Sequence, residues 1–151
     1  NQGIESTLVL LRSVIPKNID VVKELGQLPI IECYPGKLNQ VFMNIFNNAV
    51  QAMEAVKKEE KHILTIKSYV DGENVCVSVE DTGTGMTPEV KAKIFEPFFT
   101  TKDVGQGTGL GMSIVFKIIE SHSGRIDIDT EPGRGTKMTI VLPKKLSHKN
   151  N

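Results

Sequence analysis

The amino-acid sequence predicts an α/β two-layer sandwich: one mixed, mainly antiparallel sheet with helices on one face. Three observations lead there. Leu38, Val41, Phe42, Ile45, Phe46, Ala49, Val50 and Met53 recur every three or four residues, the apolar stripe of a core-facing helix. Alternating apolar runs pair around polar turns, as in hairpins. Strands and helices mix without the strict alternation that marks a parallel sheet.

In chain order, Ile4, Leu8 and Leu11 give a lead-in helix from Gln2 to Ser13, which Pro16 ends. Ile19 to Val22 and Pro29 to Cys33 read as a hairpin around Glu24 to Gln27. After Tyr34-Pro35-Gly36 comes the long helix, in which Asn44, Asn47 and Asn48 stand out because each side chain competes with the backbone. Asn44 and Asn48, at i and i+4, share a face. Ile63 to Val70 and Val75 to Val79 form a second hairpin across Asp71-Gly72-Glu73-Asn74. Thr87-Pro88-Glu89 starts a short helix to about Ile94. Phe95 to Gln106 has no periodicity. Met112 to Ile119 is helical, Ser123-Gly124 stops it, and Arg125 to Thr130 and Thr136 to Leu142 are the last strands. The tail from Pro143 to Asn151 is basic and expected to fray.

With 151 residues the chain is long enough for one domain with a real core. Eighteen basic side chains balance eighteen acidic ones, so net charge gives no reason to expect nucleic acid or an anionic membrane as partner. Cys33 and Cys76 lie in apolar runs without metal-ligand spacing and read as buried thiols of a reducing compartment. No apolar run approaches the roughly 20 residues of a membrane helix, and no signal pattern opens the chain. A cytoplasmic domain is expected, and any membrane anchor of a longer protein would lie outside it.

The glycines at 105, 107, 109 and 111 precede an abruptly apolar helix, an arrangement that can gather N–H groups around an anion. Alone, this spacing fits a phosphate loop and a surface loop equally, and it matches neither the Rossmann nor the Walker pattern. The combination is far more specific. Asn44/Asn48, Asp81 with Gly83 and Gly85, FEPFFTTK at 95–102, and the Gly105 to Gly111 run occur in that order. Together they closely resemble the N, G1, F and G2 boxes of the ATP-binding domain of sensor histidine kinases. The resemblance spans nearly the whole chain, with NxxxNAxxAM, EDTGTGM, FEPFFTTK and GTGLGMSIV in one register. It implies the left-handed βαβ Bergerat-type fold shared with gyrase-type and mismatch-repair ATPases and heat-shock chaperones, and the FEPFFTTK segment points to the histidine kinases among them.

The resemblance implies that Asp81 accepts a hydrogen bond from the adenine amino group while Gly83 and Gly85 let the purine lie against the backbone; guanine would present a repelled carbonyl oxygen. A turn-capping Asp in a DTG loop is the plainer reading. By the same resemblance Asn48 ligates Mg²⁺ and Asn44 contacts phosphate or a metal-bound water, against the alternative of satisfied polar groups beside the core, which is how Asn47 is read. The implied ATP contacts extend to Met86, Phe95, Thr101, Lys102, Gly105, Gly107, Thr108, Gly109, Leu110 and Gly111. Pro97, Phe98 and Phe99 belong to a lid from which Lys102 would meet phosphate, unless it is simply solvated. Gln51 stands where many family members carry a basic residue, which puts more weight on Lys102 and the metal.

None of His62, His122 and His148 has the context of a phosphoacceptor, typically followed by an acidic residue and then Pro. The resemblance therefore implies the catalytic half of a larger sensor kinase, a single domain at 1–151. Its partners would be ATP, a His-bearing dimerisation domain of the same protein and then a response regulator, with this domain monomeric and the full-length protein a homodimer. An anti-sigma-type protein-serine kinase acting as a partner switch is the runner-up. A gyrase-like ATPase would need a transducer domain for which 151 residues leave no room.

Overall fold

A computed structural model describes residues 1–56, 60–96 and 111–145. Nine elements follow in order: α1 (Gln2–Leu11), β1 (Ile19–Leu25), α2 (Pro35–Glu54), β2 (His62–Asp71), β3 (Asn74–Asp81), α3 (Pro88–Lys93), α4 (Gly111–Ser121), β4 (Arg125–Glu131) and β5 (Gly135–Pro143). The five strands form one sheet in the order β1-β2-β3-β5-β4. β1 runs parallel to β2 and the other neighbours are antiparallel. The expected mixed, mainly antiparallel sheet is therefore present.

The pleat sorts the side chains by row. Ile66, Val79, Met138 and Ile128 lie side by side across β2, β3, β5 and β4. The next row, Lys67, Ser78, Thr139 and Asp127, points to the opposite face. The helices cover the apolar face. Phe46 and Met53 of α2, Val115 of α4 and Ile4 of α1 reach it fully buried, and α2, touching α1, α4, β2 and β3, is the spine of the helical layer. Truncating Phe46 to Ala would cost about 3–5 kcal/mol.

The first hairpin expected from sequence is absent. Only Ile19–Leu25 is strand, and it pairs with β2, so residues 26–34 leave the sheet. Gly26 closes onto the Ser68 carbonyl at 2.9 Å. Pro29 has no N–H for a ladder and Ile30 is fully exposed, while Ile31 turns back to the core. Because β1 and β2 are parallel, the chain needs a long crossover, and α2 supplies it. Cys76 is buried as expected, whereas Cys33, on the irregular segment, is only half-buried. The second hairpin forms as read, with Gly72 at φ 61° opening its two-residue turn. β3 extends to Asp81, so this carboxylate leaves from a strand end and not from a loose loop. Among the described residues no helix is long and apolar enough to cross a membrane.

Candidate functional site

The end of β3 and one face of α2 build the site together. Gly83 joins them: a Cβ there would lie 2.6 Å from the Ala52 carbonyl carbon, so only glycine lets the strand exit rest on the helix backbone. Ala52 is one turn beyond Asn48, which is one turn beyond Asn44. The expected face of Asn44 and Asn48 thus runs toward the Asp81 loop.

Asp81 is 8% exposed, and its Oδ1 accepts the Gly83 backbone N–H at 2.8 Å. The Thr136 backbone N–H also donates to the carboxylate. Burial pushes the carboxyl up to about 6, against the pull of those two backbone donors, with Glu80 adding to the rise. At neutral pH it is a buried, ionised acceptor anchored by main-chain groups. The loop beyond is equally tied. Gly85 sits at φ 69°, where a side chain would run into the Glu131 carbonyl. Met86 N–H donates to Thr130 Oγ1 at 2.9 Å, and Gly133 N–H donates to the Thr84 carbonyl at 2.7 Å.

Among the described residues, the polar side chains of this α2 face make few bonds. Asn44 Nδ2 donates to the Gly111 carbonyl at 3.3 Å, tying α2 to the first turn of α4. Asn48 is half-buried, and no described residue bonds its amide. Gln51 Oε1 is the one buried side-chain oxygen or nitrogen among the described residues without a hydrogen-bond partner. Asn47, read from sequence as a polar spot beside the core, is exposed to solvent instead, because its helical position turns away from the sheet. Phe95 packs on the core margin with its ring 5.3 Å from that of Phe116 on α4. Thr101, Lys102, Gly105, Gly107, Thr108, Gly109 and Leu110, with Pro97, Phe98 and Phe99, lie outside the described residues.

Two histidines are fully engaged. His62 is completely buried, its ring nitrogens 2.8 Å from Thr82 Oγ1 and 2.7 Å from the Val56 carbonyl. His122, 2% exposed, accepts from the Tyr34 N–H at 3.1 Å through Nε2 and holds Nδ1 2.8 Å from the Ile118 carbonyl. Neither ring offers a free nitrogen to an incoming phosphoryl group. His148 lies outside the described residues.

Sequence reading missed Thr130, Thr136, Phe116 and the pair His62 and Thr82. Thr136 follows Gly133-Arg134-Gly135, a turn beside a strand, and Thr82 lies within the EDTGTGM run; those were the available signals, and the others carry no local mark.

The family described as "Histidine kinase-, DNA gyrase B-, and HSP90-like ATPase" matches residues 33–146. Sporulation kinase E of Bacillus subtilis (strain 168) is 40% identical over 119 residues, 79% of this chain and 15% of that protein. The catalytic domain of histidine kinase ThkA, solved free of nucleotide, superimposes with a TM-score of 0.81 at 34% identity over 96% of this chain and 94% of that one. ThkA in complex with the response regulator protein TrrA aligns at a TM-score of 0.76, 33% identity, 95% of this chain and 40% of that one. The chain spans 15% of the length of sporulation kinase E and 31% of that of sporulation kinase C of Bacillus subtilis (strain 168).

Proposed function

The chain belongs to the histidine kinase-, DNA gyrase B- and HSP90-like ATPase family, and on that premise we propose that it binds Mg–ATP and passes the γ-phosphoryl group to a histidine on a separate dimerisation domain. The observation that carries the proposal is the buried Asp81 carboxylate beside Gly83. Anchored by two backbone donors, it has acceptor capacity left for an amino group, and adenine presents one where guanine presents an oxygen. The backbone of Gly83 and Gly85 would flank the purine.

At the phosphate end the donor set fits Mg²⁺. Asn48 offers an unengaged amide oxygen, and the orphaned Gln51 Oε1, one turn along the same face, needs a cation or a donor such as a metal-bound water. Neutral carbonyl oxygens suit a hard cation that keeps waters and binds mostly to phosphate. Asn48 would hold it, and when bound it would neutralise charge on the transferred phosphoryl group. Asn44, held to Gly111, keeps the start of α4 beside that region. Lys102 and the glycines at 105, 107, 109 and 111 are proposed as phosphate donors. No general base is needed within this chain, because an imidazole acceptor brings its own lone pair and the task is positioning and charge stabilisation.

The engaged rings of His62 and His122 support an acceptor on another domain. A response regulator would take the phosphoryl group onward, in keeping with the ThkA–TrrA complex. The test is to mix the chain with a His-bearing dimerisation domain and labelled ATP. Acid-labile label should appear on the supplied domain and not on this chain; label on His62, His122 or His148 would overturn the reading.

A further inference from the structure

The buried His62 stands apart from the nucleotide contacts yet ties together the three pieces that form the base end. A carbonyl oxygen can only accept, so the nitrogen 2.7 Å from the Val56 carbonyl, Nε2, carries the proton. In the neutral ring Nδ1 is then an acceptor, and the Thr82 hydroxyl donates to it at 2.8 Å. The same Thr82 oxygen accepts the Ile63 backbone N–H at 3.2 Å. Every polar atom in this chain of contacts is thus matched, donor to acceptor, around a ring that is itself fully buried, with Thr82 and Val56 only half-buried.

The place of Thr82 makes this more than core packing. It is the residue between Asp81, whose carboxylate is proposed to read the base, and Gly83, which rests on α2 at Ala52. Its hydroxyl also takes the Ile63 N–H past the last paired residues of β2 and β3, Thr65 and Glu80, at that end of the ladder. Val56, the other partner of the ring, lies two residues past Glu54, the end of the helix that carries Asn48. His62 therefore sets the distance between the end of α2 and the strand exit.

We infer that His62 is a positioning residue for base recognition, acting through the Thr82 hydroxyl to set the angle at which Asp81 and Gly83 meet the purine. The inference rests on the proposed pairing of Asp81 with the adenine amino group. A ring that merely filled space would support binding of any purine equally; one that aims Asp81 matters only where the purine carries an amino group.

The test compares ADP with purine riboside diphosphate, which lacks that amino group, by calorimetry with Mg²⁺ present. Wild type should prefer ADP by about tenfold or more. Thr82→Val and His62→Leu should each weaken ADP by about fivefold to tenfold while changing the analogue less than about twofold, and Thr82→Ser, which keeps the hydroxyl, should restore the preference. Should His62→Leu fail to fold, the near-isosteric Thr82→Val decides. Preserved preference in Thr82→Val, or equal losses for both ligands, would overturn the inference while leaving the Asp81 reading intact. A wild type that does not distinguish the two ligands would instead refute the Asp81 pairing, and the role of His62 with it.

Discussion

The two ends of the site are built in opposite ways. At the base end, Asp81, Gly83, Gly85 and Met86 are held by backbone donors, by close contact with α2 and by Thr130. At the phosphate end, the described polar groups of α2 have one long bond between them, Asn44 to Gly111 at 3.3 Å, while Gln51 Oε1 has none. Preformed contacts bind without ordering cost, whereas unpaired amides wait for a ligand to satisfy them. If the proposed assignments hold, the difference teaches that base selection is prepared in the folded chain and that the reacting end is completed by what it binds.

The sharpest way to break this comparison is to remove the proposed metal ligand. Asn48→Ala should lower phosphoryl transfer to a supplied His domain by about a hundredfold to a thousandfold while leaving most ADP affinity, because the base contacts remain. Comparable transfer rates for variant and wild type in a single-turnover assay would put the metal elsewhere. At the opposite end, Asp81→Asn should weaken ADP by about tenfold to a hundredfold, the loss of a charge-assisted acceptor. Calorimetry returning equal affinities would end the assignment.

Legibility follows the same divide. The placement of Asp81 and Gly83 at a strand exit and of Asn48 on a helix could be read because each motif lies within a few residues of chain, and α2 because a long apolar period leaves little choice. Residues 19–33 misled because alternation shows that a strand exists but not which strand it joins, and the partner of β1 lies beyond a whole helix. The same holds for His62, whose neighbours Val56 and Thr82 meet it only once the crossover closes. Thr136 reaches Asp81 across the β3 and β5 ladder; the turn before it marks the start of a strand but not the residue it faces.

A smaller effect comes from protons. Burial lifts Asp81 to about 6 from an ordinary 3.8, so the nucleotide-free fold gains a contribution that is full below 3.8 and is lost as pH rises through about 6. Binding runs the other way, since adenine needs the ionised carboxylate: ADP affinity should fall about tenfold between pH 7 and pH 5 beyond the fall seen in Asp81→Asn, in which only the terminal phosphate of ADP titrates. A calorimetric profile for wild type no steeper than that of Asp81→Asn would show that Asp81 stays ionised or does not touch the base. The smallest effect is expected at Gln51. Changing it to Leu removes an unpaired buried oxygen, so it should leave thermal stability equal or slightly higher while weakening Mg–ADP a few-fold, since a water-bridged contact contributes little more. Unaltered affinity would detach Gln51 from the phosphate end.

Hydrogen exchange of single backbone amides in the nucleotide-free protein tests the prepared base end most directly. The N–H groups of Gly83, Met86 and Gly133 are already bonded to Asp81, Thr130 and Thr84. They should exchange at least about a hundredfold more slowly than unstructured amides and change little when Mg²⁺ and a non-hydrolysable ATP analogue are added. Free exchange at these three amides, with protection arising only on nucleotide addition, would contradict the account.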